Sequence, residues 1–165
     1  MEEIMSQVSV VMGSTSDWET MKKTTVLLDE LGITYEKHII SAHRMPDQLQ
    51  SFGQSAAKNA LQVIIAGAGG AAHLPGMIAA NTTIPVIGVP MQSHALNGLD
   101  SLLSIVQMPA GVPVATVAIG DAGAKNAAIL AAQIIALRDE KILDNLIAFR
   151  KQQTQKSIDS EADLL

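Results

Sequence analysis

Cysteine is absent from the 165 residues, which excludes disulfides and thiolate nucleophiles and leads us to expect a reducing, cytoplasmic setting. Aromatic residues are scarce as well. Trp18, Tyr35, Phe52 and Phe149 are all there are, too few to offer the ring faces on which a flavin usually stacks. No run of Lys or Arg occurs, and the formal charge is −5, so a nucleic-acid surface is not expected. The apolar stretches are cut by Gly, Pro or Gln well short of a membrane span, so no membrane partner is expected. The opening "MEEIMSQ" is acidic and has no apolar core, so no signal peptide is expected. Charge itself is thin: 16% of residues, against about a quarter in an average protein. With 48% hydrophobic residues, the chain lacks the charge to coat a lone small domain, and part of its surface is expected to face other copies of itself.

What is present is alternation. The length suits one domain, 1–165, with a core over about 8–155 and a polar, frayed tail over 156–165. "VSVVM" (8–12) predicts a buried strand ending at Gly13. The helix after it is expected to start at a capping box, Ser16 with Glu19, and to close at Gly32. Residues 33–40 predict a second strand, and Pro46 opens a second helix through "PDQLQSFGQSAAKNA". "VIIAGAGG" (63–70) predicts a strand running into a glycine loop, and a short helical segment follows, bent by Pro75. Strands are expected again over 85–90 and 112–120, with a short helix over 99–108 between them. The helix over 122–137 is apolar nearly all round and should be buried on several sides, partly between subunits. A final amphipathic helix carries Ile142, Leu146 and Phe149 on one stripe. The fold class is therefore α/β: a single-domain, doubly wound parallel sheet of five core strands with flanking helices.

Such sheets bind ligands beyond the carboxyl ends of their strands. That rule singles out the loops 13–17, 41–46, 67–75, 90–98 and 120–125. The first, "GSTSD", puts hydroxyls at a helix N-terminus, where free N–H groups and the helix dipole attract phosphate. It is neither a Walker loop nor GxGxxG. Asp17 is awkward beside bare phosphate but suits a ribose diol, and ordinary capping by Ser16 and Asp17 is the plainer alternative. The second loop, "SAHRMP", adds what the first lacks. Arg44 brings a permanently charged fork that matches phosphate oxygens, Ser41 a hydroxyl, and His43 a ring that exchanges a proton near neutrality. The plainer alternative here is backbone satisfaction by Ser41 and His43, with Arg44 in a surface ion pair. The third, "AGAGGAAHLPG", has four glycines, which let backbone approach a flat ligand or simply make a tight turn. His73 either contacts ligand or caps its helix, His94 in the fourth loop is undecided, and His38 within a strand reads as structural. No histidines and carboxylates stand at metal spacing, so neither a metal nor another cofactor is assigned.

Taken together, "VVMGSTSDWETM", "SAHRMPDQL", "VIIAGAGGAAHLPGMIAA", "PVIGVP", "GLDSLLSIVQMPAGVPVATVAIG" and "GAKNAAILAAQI" resemble the class I PurE family, in order and over about residues 8–155. The resemblance implies a 5-(carboxyamino)imidazole ribonucleotide mutase of purine biosynthesis: an octamer of flavodoxin-like subunits that binds its ribonucleotide between subunits. It implies that Ser14, Ser41 and Arg44 hold the 5′-phosphate, Asp17 binds ribose hydroxyls, and His43 moves the proton. The loop from Ala68 through Gly69, Gly70, Ala71 and His73 to Leu74 would wrap the imidazole and its carboxylate. The related carboxylase branch generally carries Lys in place of Arg44, which favours the mutase. Met45, Ala110 and Ala115 depart from the family's usual Thr, basic residue and Gly.

Overall fold

The computed structural model describes residues 5–164. The acidic opening "MEEI", from which no leader was expected, and Leu165 lie outside them. Five parallel strands form one sheet in the order β2-β1-β3-β4-β5. They are β1 (Val8–Met12), β2 (Tyr35–Ile39), β3 (Val63–Ala68), β4 (Val86–Pro90) and β5 (Ala115–Thr116). The helices between them are α1 (Trp18–Glu30), α2 (Pro46–Ser55), α3 (Leu74–Ala79), α4 (Leu99–Val106), α5 (Asp121–Ala136) and α6 (Glu140–Asp159). This is the doubly wound, flavodoxin-like order, and the chain reverses its winding between β1 and β3.

The central strands are buried on both faces, as a covered parallel sheet requires. Their alternate residues feed two cores. Val8, Val10 and Met12 of β1, with Val63, Ile65, Ile87 and Val89, pack beneath α1, α5 and α6. Val11, Ile64, Ala66 and Val86 pack on the other face against α2, α3 and α4, whose Leu49, Leu74, Ile78 and Ile105 fill that layer. The small side chains of α5 (Ala124, Ala127, Ala128, Ala131, Ala132) are fully buried by the chain's own α1, α6 and sheet. The apolar face of α5 thus finds its cover within the subunit, and contact with another copy is not needed to bury it.

Local chemistry sets several boundaries. Gly32 closes α1 in the left-handed region (φ +74°), with the Gly32 N–H on Asp29 O and the Ile33 N–H on Leu28 O. Asp139 caps α6 by accepting the Ile142 N–H at 3.1 Å. Pro46 sits in the first turn of α2.

Other expectations need correction. The Ser16–Glu19 capping box does not form. Ser14 instead accepts the Ser16 N–H at 3.2 Å and starts a short 3₁₀ turn over Thr15–Asp17 that leads into α1. Pro75 lies in the first turn of α3, where its missing N–H costs nothing, so it opens the helix and does not bend it. The fifth strand shrinks from 112–120 to Ala115–Thr116. It is an edge strand, and Pro113 can donate nothing to a ladder. Past it the Val117 N–H reaches Gly88 O and the Gly120 N–H reaches Pro90 O, so the segment still follows β4 without regular pairing. The C-terminal segment is helical where fraying was expected: α6 runs to Asp159, and a 3₁₀ turn follows over Ser160–Asp163. A Gln155–Asp159 hydrogen bond of 2.7 Å at i,i+4 spacing supports the exposed end.

Candidate active site

Because all strands are parallel, their carboxyl ends lie at one edge of the sheet, where β1 and β3 part to opposite winding directions. A cleft of about 370 Å³ opens there. Its walls come from the loops after β1, β2, β3 and β4. Ser14, Asp17, Ser41, His43, Arg44, Ala68, Gly69, Gly70, Ala71, His73 and Leu74 all line it. The loop 120–125, which the strand-end rule also singled out, does not.

In the second loop the Met45 and Arg44 N–H groups fold back onto Ser41 O at 2.8 and 3.2 Å, a tight turn that carries the side chains outward. Arg44 Nε–H donates to Ser41 Oγ at 3.1 Å. That bond fixes the guanidinium beside the buried serine and leaves both terminal nitrogens of the fork without a protein partner among the described residues. Ser41 accepts through its oxygen, so its own proton is available to a ligand oxygen. Arg44 makes no ion pair among the described residues, unlike the surface pairing considered as its plainer role. Ser14 is placed similarly: its oxygen accepts from Ser16 N–H while its proton remains to be donated. Two hydroxyls, a guanidinium fork and a helix start therefore share one cleft.

His43 and His73 meet across it. His43 Nε2 lies 2.9 Å from His73 Nδ1, with ring centroids 5.0 Å apart and the planes at 74°. Only one hydrogen fits between these nitrogens, so the tautomers of the two rings are tied together. His73 does not cap its helix with its side chain. Burial pushes the Asp17 carboxyl above its ordinary range, and the Ser16 hydroxyl pulls partly against that. An acid so placed gains from a ligand's hydroxyl donors.

The glycine loop is shaped by close approach. A Cβ on Gly67 would lie 2.6 Å from Met21 Sδ and 2.9 Å from Met91 Cε, and Gly70 takes φ +66°. The undecided His94 also lines the cleft, as do Gln92, Ser93 and Met91 from the loop after β4. Sequence reasoning had marked that loop but none of its other residues. Their polar types carry no pattern, and the strand-end rule was the one signal available. His38 stands apart from the cleft on exposed β2, with Nε2 3.2 Å from Glu36 and its ring near Phe52.

A larger groove of about 870 Å³ runs between α1, α5 and α6. Lys22, Lys23, Lys125 and Lys156 line it, with Ala122 and Lys125 coming from the 120–125 segment, and with no histidine it lacks the paired rings of the cleft.

Comparison with known proteins bears out the fold. The profile of the AIR carboxylase family matches residues 7–156. The N5-carboxyaminoimidazole ribonucleotide mutase of Haemophilus influenzae is 58% identical over 155 residues, 94% of each chain. The protein of the same name from Bacillus subtilis is 58% identical over 158 residues, covering 96% of this chain and 98% of that one. The one from Escherichia coli K12 is 56% identical over 155 residues, 94% and 92% of the two chains. The crystal structure of Treponema denticola PurE superposes with a TM-score of 0.85 at 30% identity, covering 95% of this chain and 97% of that one. With the matched span, the identities and the fold in agreement, the chain belongs to the AIR carboxylase family.

Proposed function

We propose that this protein is a mutase that converts 5-(carboxyamino)imidazole ribonucleotide to 4-carboxy-5-aminoimidazole ribonucleotide, a step of purine biosynthesis carried out in the cytoplasm. The observation that carries the reading is the meeting of an Arg44–Ser41 anion grip and a His43–His73 pair in one strand-end cleft. Relatives 56–58% identical bear that mutase name.

Arg44, Ser41 and Ser14 hold the 5′-phosphate by charge-assisted hydrogen bonds. Asp17 accepts from the ribose hydroxyls. The backbone from Ala68 to Ala71, with His73 and Leu74, encloses the imidazole and its carboxylate. The carboxylate leaves the exocyclic nitrogen as carbon dioxide, and that nitrogen regains a proton. The neighbouring ring carbon attacks the trapped carbon dioxide and then loses its own proton. His43 takes the proton from carbon and returns one to nitrogen. Atoms and charge balance within the substrate, so the isomerisation calls for no oxidant, metal or organic cofactor. A flavin carrier is the weaker reading, because no Trp, Tyr or Phe lines the cleft.

Self-association belongs to the same proposal, with eight copies as the family resemblance implies. Leu96, Leu99, Leu103 and Val106 form an exposed stripe along α4 and the loop before it, 46–57% accessible in the isolated subunit.

The test is turnover with the carboxyamino-ribonucleotide against turnover with aminoimidazole ribonucleotide plus bicarbonate. Saturable conversion of the first is expected. Turnover of the second alone would make the protein a carboxylase. His43→Gln should bind the ribonucleotide nearly as well as the parent while kcat falls roughly 10²–10⁴-fold, the scale of a lost general acid–base group. Equal losses in affinity and rate would point to damaged architecture and remove His43 from the chemistry.

A further inference from the structure

Two serines outside the cleft grip its glycine loop. Ser101 and Ser104 lie on α4 at i,i+3 spacing, so both face the same side of that helix. The Gly70 N–H donates to Ser101 Oγ at 2.9 Å. The Ser104 hydroxyl lies 3.2 Å from Gly70 O and 2.7 Å from Asp100 O, its single proton shared between the two carbonyls. The Gly70 carbonyl also accepts the Ala72 N–H at 2.8 Å, so one helix, together with the loop's own tight turn, holds both ends of this residue. Ser101 is fully buried, and neither serine lines the cleft.

Peptide planarity turns this into a statement about the cleft. In a trans peptide the N–H and C=O point in opposite directions. If the Gly70 N–H points to α4, the Gly69 carbonyl points away from it. If the Gly70 carbonyl points to α4, the Ala71 N–H points away from it. The side away from α4 is the cleft, which Gly69, Gly70 and Ala71 all line. Among the described residues, neither the Gly69 carbonyl nor the Ala71 N–H has a protein partner. One acceptor and one donor therefore stand side by side toward the ligand. The left-handed Gly70 (φ +66°) is what allows both peptides to face this way.

We propose that Ser101 and Ser104 are positioning residues that aim the Gly69 carbonyl and the Ala71 N–H at the substrate's N-carboxy group. That group presents an N–H donor beside carboxylate acceptors, the complement of this pair. The inference rests on the function proposed above. A second fastening keeps α4 in place: Ser93 Oγ–H donates to Asp100 at 2.6 Å, and the Gly98 N–H donates to Ser93 Oγ at 3.1 Å, which ties the helix start to the loop after β4.

Calorimetry with two probes separates the clamp from the rest of the site. Ribose 5-phosphate touches only the Arg44 side, whereas 4-carboxy-5-aminoimidazole ribonucleotide also reaches the glycine loop. Ser101→Ala and Ser104→Ala should bind ribose 5-phosphate within about twofold of the parent. Both should bind the carboxylated nucleotide, and turn over substrate, about 10- to 100-fold less well, the range of a lost hydrogen bond to a charged group. Ser104→Thr keeps the hydroxyl and should recover most of the loss. Parent-like binding of both probes by the alanine variants would overturn the clamp. Equal weakening of both probes would overturn it too, since the serines would then serve the fold as a whole. A parent chain that binds these probes yet shows no turnover would sink the proposed reaction and leave the clamp to be judged on binding alone.

Discussion

At the scale of single residues, Arg44 and Asp17 make opposite demands. Arg44 is exposed at the cleft mouth and held by one bond to Ser41, so its removal costs the fold little and the ligand much. Arg44→Ala should weaken ribonucleotide binding by roughly 1.5–3 kcal/mol, the scale of a hydrogen bond to a charged group, as read by calorimetry. Lysine should recover only part, because it lacks the fork. Asp17 carries the reverse balance. Its carboxyl is pushed upward by burial, so its charge is less comfortable in the folded chain than in the unfolded one. With the folded value above the unfolded one, its contribution to stability is most favourable below the unfolded pKa. That contribution is lost as pH rises through the folded pKa. At neutral pH the whole penalty stands. Asp17→Asn should therefore raise the melting temperature of the ligand-free protein at pH 7, and the gain should vanish in acid, where the parent's carboxyl is neutral. The same variant should lose less ribonucleotide affinity than Arg44→Ala, since an amide still bonds a diol. A melting difference independent of pH would contradict the burial argument.

Among the elements, α5 sets the tightest constraint. Gly123 sits in its first turn, and a Cβ there would stand 1.6 Å from Ala118 O and 2.7 Å from the same carbonyl carbon. Backbone cannot swing aside as a side-chain tip does. Gly123→Ala should cost about 3 kcal/mol or more, at the upper end for overpacking, seen as a lower midpoint in urea. An unchanged midpoint would mean that the turn before α5 yields to the added methyl without cost. This constraint was not legible beforehand. The glycine stands within an Ala-rich run, and nothing in that run distinguishes a required glycine from a tolerated one. The same holds for β5: a nine-residue apolar stretch reads as a strand, but only its place at the sheet edge shows that two residues pair. By contrast, β1 and the end of α1 were readable almost to the residue, because a β-branched run and the glycine stop at Gly32 are local signals.

For the whole molecule, the shortage of charge and the exposed stripe Leu96, Leu99, Leu103 and Val106 bear on the same question. The exposed apolar surface open to another copy lies on α4, whereas the alanines of α5 are buried within the subunit. Leu103→Asp places a charge at the middle of that stripe and should yield a smaller species by light scattering at micromolar concentration. Stable monomers of the parent chain would refute the proposed assembly. Wild-type mass in the variant would move the contact to another surface, such as exposed Leu137, Leu143 and Ile147.

The sequence by itself determined the alternation of strands and helices, since hydrophobic periodicity and glycine punctuation are local properties. It also determined which loops to watch, because parallel strands must present their carboxyl ends together. What only the tertiary structure decided is which groups face each other: His43 Nε2 on His73 Nδ1, Arg44 on Ser41, and Ser101 with Ser104 on Gly70. These partners lie on different elements or across a folded turn. Their contact depends on where the sheet's winding reverses and how closely α4 packs, and no local pattern records a distance between segments 30 residues apart.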